Sequence, residues 1–418
     1  MQPWPAEVLE ERAGDVAVAF ASLLARQAGW CHRRVETISV LSHETVRRSV
    51  SVDFTVPAEH RGDLKIADGQ WVVPLAVIAK RALVHFDLRD EAGESVPLLR
   101  AEETRLITRE LLYLALDLDL ADADGDDIDA GPLIERVLVT APPRGAELRS
   151  VDGELAGLEA RAGPLPGFTA LAGQLARGFP LCAVVRDVRR RRVLKFAYDE
   201  GLGRPSRLTH FYDAPGCIEA ASYHAEVAVP AELRARRTEL ADDATGELLA
   251  RGPRDADRPA LYFTGTRPAV RAGISVRYGT ERGRFLVPAA LVAWLIALEL
   301  ALPWLLADLG RLAAEAGPAI SILLSSSAVF SGLVLRAGEH PLLRVVLAPA
   351  RLCLAIATIA LVTAAGALGF HVDPDPLRWI WGLGALVAVL AAVILTLQAA
   401  RAPTARRRPA RDDPHPPV

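Results

Sequence analysis

The C-terminal third of this 418-residue chain contains four long apolar stretches, at residues 287–307, 318–335, 345–370 and 378–400. A helix needs roughly 20 apolar residues to cross a bilayer, and each stretch approaches or exceeds that length. Most acidic residues lie before residue 260, so charge and apolarity are segregated along the chain. This segregation excludes a wholly soluble enzyme, a small disulfide scaffold and a disordered chain. It predicts a multi-pass membrane protein with a charged N-terminal domain.

The arginines around these stretches predict the orientation of the helices. Arginines that include Arg282 and Arg284 precede the first stretch, two lie between the second and the third, and five follow the fourth. The opposite loops hold only Arg311 and Arg378. Cytoplasmic loops carry the excess of positive charge, so we predict four transmembrane helices in the inner (cell) membrane with both termini in the cytoplasm. The first fifteen residues carry four acids, the opposite of a secretory signal.

The second stretch is the shortest of the four and contains five serines. A position in the membrane interface is the alternative for it. The tail after residue 400 is rich in proline and arginine and is predicted to be disordered, with its arginines against anionic lipid.

Before residue 285 the pattern is that of a soluble domain. Apolar and polar residues alternate in several segments, for example at Val50, Val52 and Phe54, and a period of two is typical of half-buried strands. Between residues 101 and 180 apolar residues recur at helical spacing instead. We predict an α+β membrane protein in these parts: an N-terminal helix (1–33), a β-rich, sandwich-like segment (34–100), a helical insertion (101–180), a second β-rich segment (181–284), a bundle of four transmembrane helices (285–400) and a basic tail (401–418).

Two segments of the β-rich parts resemble each other. Residues 49–59 and 222–232 both begin with serine, alternate in polarity and end in Val-Pro-Ala-Glu. This similarity suggests two related β-units on either side of the helical insertion. Their simplest arrangement is a sandwich or a pair of sandwiches.

No motif of known chemistry is complete in this sequence. The acidic run from Asp117 to Asp129 lacks the ligands of an EF-hand and is predicted to be a solvated loop. His224 begins an H-x-E triplet without the cysteine pair of a zinc deaminase, and His43-Glu44 lacks the second histidine of H-E-x-x-H. We therefore predict no catalytic, cofactor-binding or metal-binding residue and no cofactor. We favour a protein that is not an enzyme.

The basic residues do not favour a nucleic-acid partner. Arginine outnumbers lysine by 45 to 3, a bias typical of a GC-rich bacterial genome, and the net charge is −3. A domain without a basic field does not attract a polyanion. The expected partners are the lipid bilayer, a protein partner of the cytoplasmic domain and a second copy of the chain.

Glu299 is the acid that lies near the middle of the first apolar stretch. An ionisable group at that depth costs roughly 2.5–3.5 kcal/mol, so it should face protein or water. Counting along antiparallel helices places Glu299 at the depth of Ser325 and Ser326 in the second stretch. We predict an intramembrane polar cluster of these three residues. A packing hydrogen bond is favoured over an ion-sensitive site.

A second candidate site consists of basic residues that could touch the lipid surface. Four consecutive arginines, Arg189, Arg190, Arg191 and Arg192, form the densest basic run of the soluble part. Each arginine near an anionic surface contributes about 1 kcal/mol. Together with Arg282 and Arg284 they are candidate lipid contacts. A solvated turn is the alternative for the run.

Two functions of different classes fit these features. The first is a non-enzymatic, membrane-anchored interaction or assembly protein with a cytoplasmic β-domain. The alternative is a small channel or transporter-like effector that the cytoplasmic domain gates, with Glu299 in its pore.

Overall fold

The computed structural model describes residues 6–80, 83–122, 129–139, 145–202, 208–214, 217, 219–230, 233–243, 245–264, 272–280, 285–306, 340–370 and 372–401. The first part of the soluble domain contains α1 (Ala6–Ala25), α2 (Gln27–Trp30), β1 (Cys31–Val40), β2 (Thr45–Phe54), a 3₁₀ turn (Ala58–His60), β3 (Lys65–Ala67), β4 (Gln70–Ala79) and β5 (Val84–Arg89). Four helices follow: α3 (Ala101–Asp122), α4 (Gly131–Val137), α5 (Gly145–Ala162) and α6 (Pro166–Arg177).

Strands return after α6 and are followed by the apolar helices. The strands are β6 (Gly178–Val185), β7 (Arg192–Gly201), β8 (Thr209–Asp213), β9 (Tyr223–Ala228), β10 (Leu233–Asp242), β11 (Leu248–Arg251), β12 (Ala260–Phe263) and β13 (Ala272–Thr280). The apolar helices are α7 (Val287–Leu306), α8 (Pro341–Gly369) and α9 (Pro374–Arg401).

The strands form three sheets. The largest has six strands in the order β12-β9-β1-β2-β7-β5, and the others have the orders β11-β10-β13-β8 and β3-β4-β6. The pair of β1 and β9 is parallel and makes the six-stranded sheet mixed, whereas its other pairs are antiparallel. The N-terminal region is therefore β-rich with a helical insertion.

The two similar segments, residues 49–59 and 222–232, contribute strands to one sheet. Residues 49–54 belong to β2 and residues 223–228 to β9, and these two strands flank β1 on opposite sides. They run in opposite directions, because β2 is antiparallel and β9 parallel to β1. The six-stranded sheet is thus shared by both halves of the chain, and a pair of separate sandwiches is wrong.

One face of the six-stranded sheet is buried, and two hydrophobic cores share it. Val50, Val52 and Phe54 of β2 belong to a core with α1, α3 and the three-stranded sheet, which we call the outer core. Val46, only four residues earlier in β2, belongs to a core with the four-stranded sheet and the apolar helices. We call this second one the junction core. Strand β2 therefore contributes side chains to both cores.

The helical insertion has a core of its own. Helices α3 to α6 pack around buried residues such as Leu112, Ile134, Leu158 and Phe168. The outer core also contains Ile107 of α3, so the insertion is attached to the half of the domain farther from the apolar helices.

Two boundaries differ from those that the sequence predicts. The first strand begins at Cys31 rather than after residue 33, and β6 begins at Gly178 rather than after Pro180. Pro180 is compatible with β6 because this strand is at the edge of its sheet, where a missing donor is tolerated. Gly178 permits the early start, since a Cβ there would come within 2.6 Å of Val77 Cγ1 in the neighbouring strand.

The acidic run does not begin as a loop. Helix α3 extends to Asp122, so Asp117 and Asp119 are helical. The Asp119 carboxylate accepts a hydrogen bond from the backbone N–H of Phe168 at 2.7 Å, near the start of α6. An acid at this position stabilises a helix N-terminus, which gives Asp119 a structural role. Residues 123–128 of the run lie outside the described residues.

Three helices in the described part of the chain, α7, α8 and α9, are long and apolar enough to cross a membrane. They indicate a membrane-spanning protein. They correspond to the first, third and fourth apolar stretches of the sequence. The second stretch, 318–335, lies outside the described residues, so the structure shows three of the four predicted helices.

The three apolar helices do not alternate in direction. The starts of α7 and α8 and the end of α9 all contribute to the junction core. The second halves of α7 and α8 and the first half of α9 pack together in another cluster that contains Leu300, Leu361 and Trp381. Helices α7 and α8 are therefore parallel, and α9 is antiparallel to both.

Candidate functional site at the junction of the sheet domain and the apolar helices

The intramembrane candidate Glu299 lies in the second half of α7. Its side chain is half-buried, and its helix neighbours Ile296 and Leu300 are fully buried against the other helices. Ser325 and Ser326, its predicted partners, lie outside the described residues, so the polar cluster stays a prediction.

The arginine run Arg189–192 lies at the end of the six-stranded sheet that is remote from the apolar helices. Arg192 begins β7 and stands opposite Phe54, the last residue of β2. The β1–β2 turn at the other end of β2 faces the helices, and ten strand residues span roughly 33 Å. Arg191 pairs with Asp53 (2.5 Å) and Arg192 with Glu91 (2.9 Å).

This position favours a paired surface turn over a lipid contact for the run. Arg282 and Arg284 lie outside the described residues, so their predicted lipid contact stays a prediction.

In the junction core, as far as the structure describes the chain, apolar side chains of the sheet domain pack directly against those of the apolar helices. The helices and the two residues before α7 contribute buried side chains to it: Phe285, Leu286, Ala289, Leu342, Leu343, Val346, Leu347, Leu395 and Ala399. From the sheets it receives Ile38, Val40, Val46, Ile274 and Val276. A hydrogen bond fixes the first residue before α8, since His340 Nε2 lies 3.1 Å from the Val40 carbonyl oxygen and donates to it.

A cluster of rings lies on the sheet side of this junction. The fully buried His210 of β8 lies edge-on to Tyr278 (5.0 Å between ring centroids) and beside His43 of the β1–β2 turn (5.3 Å). Tyr212 and Tyr278 share a hydrogen bond of 2.6 Å between their hydroxyls. Burial, with a smaller contribution from His43, lowers the pKa of His210 to about 4. Among the described residues His210 Nε2 has no hydrogen-bond partner.

The unpartnered nitrogen makes His210 a neutral, acid-sensitive residue. Protonation would place a charge in an apolar core with no acceptor for the second N–H. The cluster can therefore respond to acid at the point where the sheet domain meets the helices.

A network of buried charges separates the junction core from the outer core. Arg48 of β2 pairs with Glu36 of β1 and with Glu200 of β7 (2.5 Å to Glu200). Tyr223 donates a hydrogen bond of 2.8 Å to the Glu36 carboxylate. These side chains are all at most 8% exposed. We call this set, together with the pair below, the buried ionic network.

The second pair of the network joins β1 to the segment before β9. Arg34 pairs with Glu219 at 2.6 Å, and both side chains are buried. Burial is the main cause that raises the pKa of the Glu219 carboxyl, and Arg34 opposes it. Each charge of the network has a partner, as buried charges require, and its role is structural.

Sequence reasoning missed this network, although a signal was present. Arg48 alternates in phase with Val46 and Val50, and Glu36 alternates in phase with Ile38. A charge in phase with the apolar residues of a half-buried strand is directed to the core. Two such charges of opposite sign on adjacent strands predict a buried pair.

A smaller apolar pocket lies between the insertion and the three-stranded sheet. It measures about 260 Å³, and its lining includes Leu99, Leu175, Phe179 and Lys80. Burial lowers the pKa of Lys80 to about 8, and its Nζ donates a hydrogen bond of 2.5 Å to the Val137 carbonyl. Because this bond turns the amine to the end of α4, Lys80 acts as a tie between the insertion and β4.

The described residues contain no group of three or more His, Cys, Asp or Glu side chains that could hold a metal ion. Comparison with protein-family models finds no match to this chain. Comparison with curated proteins finds no similar sequence either.

Proposed function

We propose that this protein is a multi-pass membrane protein that acts through interaction or assembly, and that its sheet domain is a fixed platform on the membrane helices. The junction core carries this proposal. A soluble domain on a flexible tether would expose a polar surface to the membrane. Here the sheets and the three helices bury their apolar side chains against each other. A shared core of this kind favours one rigid body.

Helix α8 supports the rigid attachment because its first residues extend beyond the start of α7 and pack against the sheet domain. The guanidinium of Arg351 lies over the ring of Phe285, 5.6 Å from its centroid, and Phe285 stands just before α7. The ten residues of α8 before Arg351 are about 15 Å long and therefore lie beyond the start of α7. Several of them pack in the junction core, so one continuous helix links the sheets to the bundle.

The parallel arrangement of α7 and α8 supports a fourth membrane helix. The chain leaves α7 at the end remote from the sheet domain and must return to the domain to begin α8. Residues 307–339 make this return, and they contain the apolar stretch 318–335. Eighteen helical residues span about 27 Å, close to the hydrocarbon thickness of a bilayer. With the sheet domain in the cytoplasm, all four helices place both termini on the cytoplasmic side.

Site-directed labelling tests this topology. Arg311→Cys should react with a membrane-impermeant maleimide on intact cells, because the first loop is expected outside. Ser49→Cys, on the exposed face of β2, should react only after the membrane is opened. Three of the native cysteines, Cys31, Cys182 and Cys217, are buried and give a low background. Labelling of Ser49→Cys in intact cells, or of Arg311→Cys only after opening, would contradict the four-helix arrangement.

The helical insertion is the part of the platform best placed to meet a partner. It is attached to the outer core, away from the membrane helices. It exposes large apolar side chains, since Leu118 is 60% and Val139 53% exposed. These two side chains mark the surface of the insertion at which we expect the contact.

Photo-cross-linking of the full-length protein in cells tests the interaction role. A cross-linker at Leu118 or Val139 should give one discrete adduct, and the mass of the adduct distinguishes another protein from a second copy of the chain. The same cross-linker at Ser49 serves as the control and should give no such adduct. Absence of a specific adduct, together with ion flux in liposomes that Glu299→Gln abolishes, would favour the gated channel instead.

A further inference from the structure

An arginine-lined cavity of about 610 Å³ lies where the four-stranded sheet meets the end of α9. Its walls carry Arg236, Arg237, Arg251, Arg254, Arg277 and Arg401. Its volume is within the range of small-molecule sites, about 300–1,000 Å³. Residues far apart in the sequence form the cavity, so no local sequence motif predicts it.

A β-bulge directs two consecutive arginines of β10 to the cavity. The register of β10 against β13 shifts between Ala235 and Arg237, which leaves Arg236 as an extra residue. Consecutive strand residues ordinarily point to opposite faces, and a bulge re-aims one of them. Arg236 and Arg237 therefore both line the cavity. Gly279 of β13 lies directly beneath Arg236, since a Cβ there would overlap the Nε and Cδ atoms of that side chain.

Acidic side chains neutralise only part of this charge. Glu239 pairs with Arg237 and with Arg251, each at 2.7 Å. Asp255 is the acid in the wall itself. In the part of the chain that the structure describes, the other four arginines of the wall have no carboxylate partner. Six guanidinium groups and two carboxylates leave a formal charge of +4 around the cavity.

One arginine of the wall has a buried nitrogen without a partner. Arg236 Nε is shielded from solvent and has no hydrogen-bond partner among the described residues. Nearly all buried polar groups in proteins are hydrogen-bonded, so the guanidinium of Arg236 favours a ligand with acceptor oxygens. Phosphate oxygens meet that requirement, and arginine binds them in a bidentate manner.

The position of the cavity indicates where such a ligand comes from. Arg401 is the last residue of α9 and follows the apolar stretch directly. The Trp294 indole donates a hydrogen bond of 3.0 Å to Thr396 Oγ1, which ties the last turns of α9 to the first half of α7. The cavity therefore lies at the level where α9 leaves its apolar zone. Lipid phosphates lie at that level, and basic pockets beside membrane helices bind lipid headgroups.

We propose that this cavity binds phosphate groups, and that its occupant is the headgroup of an anionic phospholipid from the adjacent leaflet. The site goes beyond the interaction role and is independent of the partner that the helical insertion meets. A bound headgroup would supply acceptor oxygens to the Arg236 guanidinium. It would also fix the end of α9 against β10 and β13.

Native mass spectrometry of the full-length protein in detergent tests the site. With equal amounts of phosphatidylglycerol and phosphatidylcholine, the wild type should retain phosphatidylglycerol about tenfold better. Arg254→Gln combined with Arg401→Gln should lower this preference about tenfold, because two charge-assisted contacts are lost. Gly279→Ala keeps every charge but displaces Arg236, and it should lower the preference about threefold.

A matched control removes two arginines elsewhere. Arg190→Gln combined with Arg191→Gln changes the net charge by the same amount at the remote end of the sheet, and the lipid preference should stay at the wild-type value. Equal retention by the wild type and the Arg254/Arg401 variant, with equal melting temperatures, would overturn the site. Inorganic pyrophosphate distinguishes a soluble ligand. Its binding at micromolar concentration without displacement by phosphatidylglycerol would overturn the lipid assignment.

Discussion

Arg48→Met is expected to lower the free energy of unfolding by about 3–5 kcal/mol, because it leaves two carboxylates buried without their cation. Arg48 is the central residue of the buried ionic network, with Glu36 on one side and Glu200 on the other. Methionine fills most of the volume, so the loss reports the missing charge rather than a cavity. Thermal and denaturant unfolding of the full-length protein in detergent would measure it.

Arg47→Met is the matched control for this substitution. Arg47 is the preceding residue of β2 and points to the other face, where it pairs with Asp199 at 2.9 Å and is 37% exposed. Solvent screens such a pair, and its loss should cost about 0–1 kcal/mol. A similar loss of stability in both variants would show that Arg48 does not hold the network together.

The second large effect is the response of the protein to acid. The pKa of His210 is about 4 in the folded protein, against 6.5 for an unperturbed histidine in the unfolded chain. Between these values the unfolded chain binds more protons, so stability falls as the pH is lowered from 6.5 towards 4. One pH unit corresponds to 1.36 kcal/mol, and the loss at pH 5 should be about 2 kcal/mol. The expected result is a lower melting temperature of the protein in acid.

His210→Leu separates this effect from general acid denaturation. The variant lacks the titrating ring and should lose the additional slope between pH 6.5 and 4, measured by melting temperature across that range. At pH 7.5 its stability should change less than that of Arg48→Met, since the imidazole has only a 3.3 Å hydrogen bond to Tyr212 to lose. A parallel decline of both proteins from pH 6.5 to 4 would assign the acid response to other groups.

The apolar helices could be predicted from the sequence because a bilayer imposes a length and a composition on them. Three of the four stretches correspond to described helices, with small differences at the ends. Helix α8 begins at Pro341, four residues before the predicted start. The extra turn contacts the sheet domain rather than lipid, and hydropathy does not distinguish those two environments.

The site features could not be predicted in the same way because they depend on strand order. Arg48 and Glu200 are 152 residues apart, and they meet because β2 and β7 are neighbours across the helical insertion. The parallel pairing of β9 with β1 could not be predicted from the sequence either. The arginine-lined cavity brings β10 together with the last residue of α9, a contact that periodicity and composition do not encode.

The junction core has a consequence for the order in which the protein is made. The sheet strands end at Thr280, but the core that covers them is completed only by residues up to Ala399. At about 5–20 residues per second the ribosome needs roughly 6–24 s to synthesise that interval. During this time one apolar face of the completed strands stays uncovered, so the docking of the last apolar helix is also the final step in folding the sheet domain.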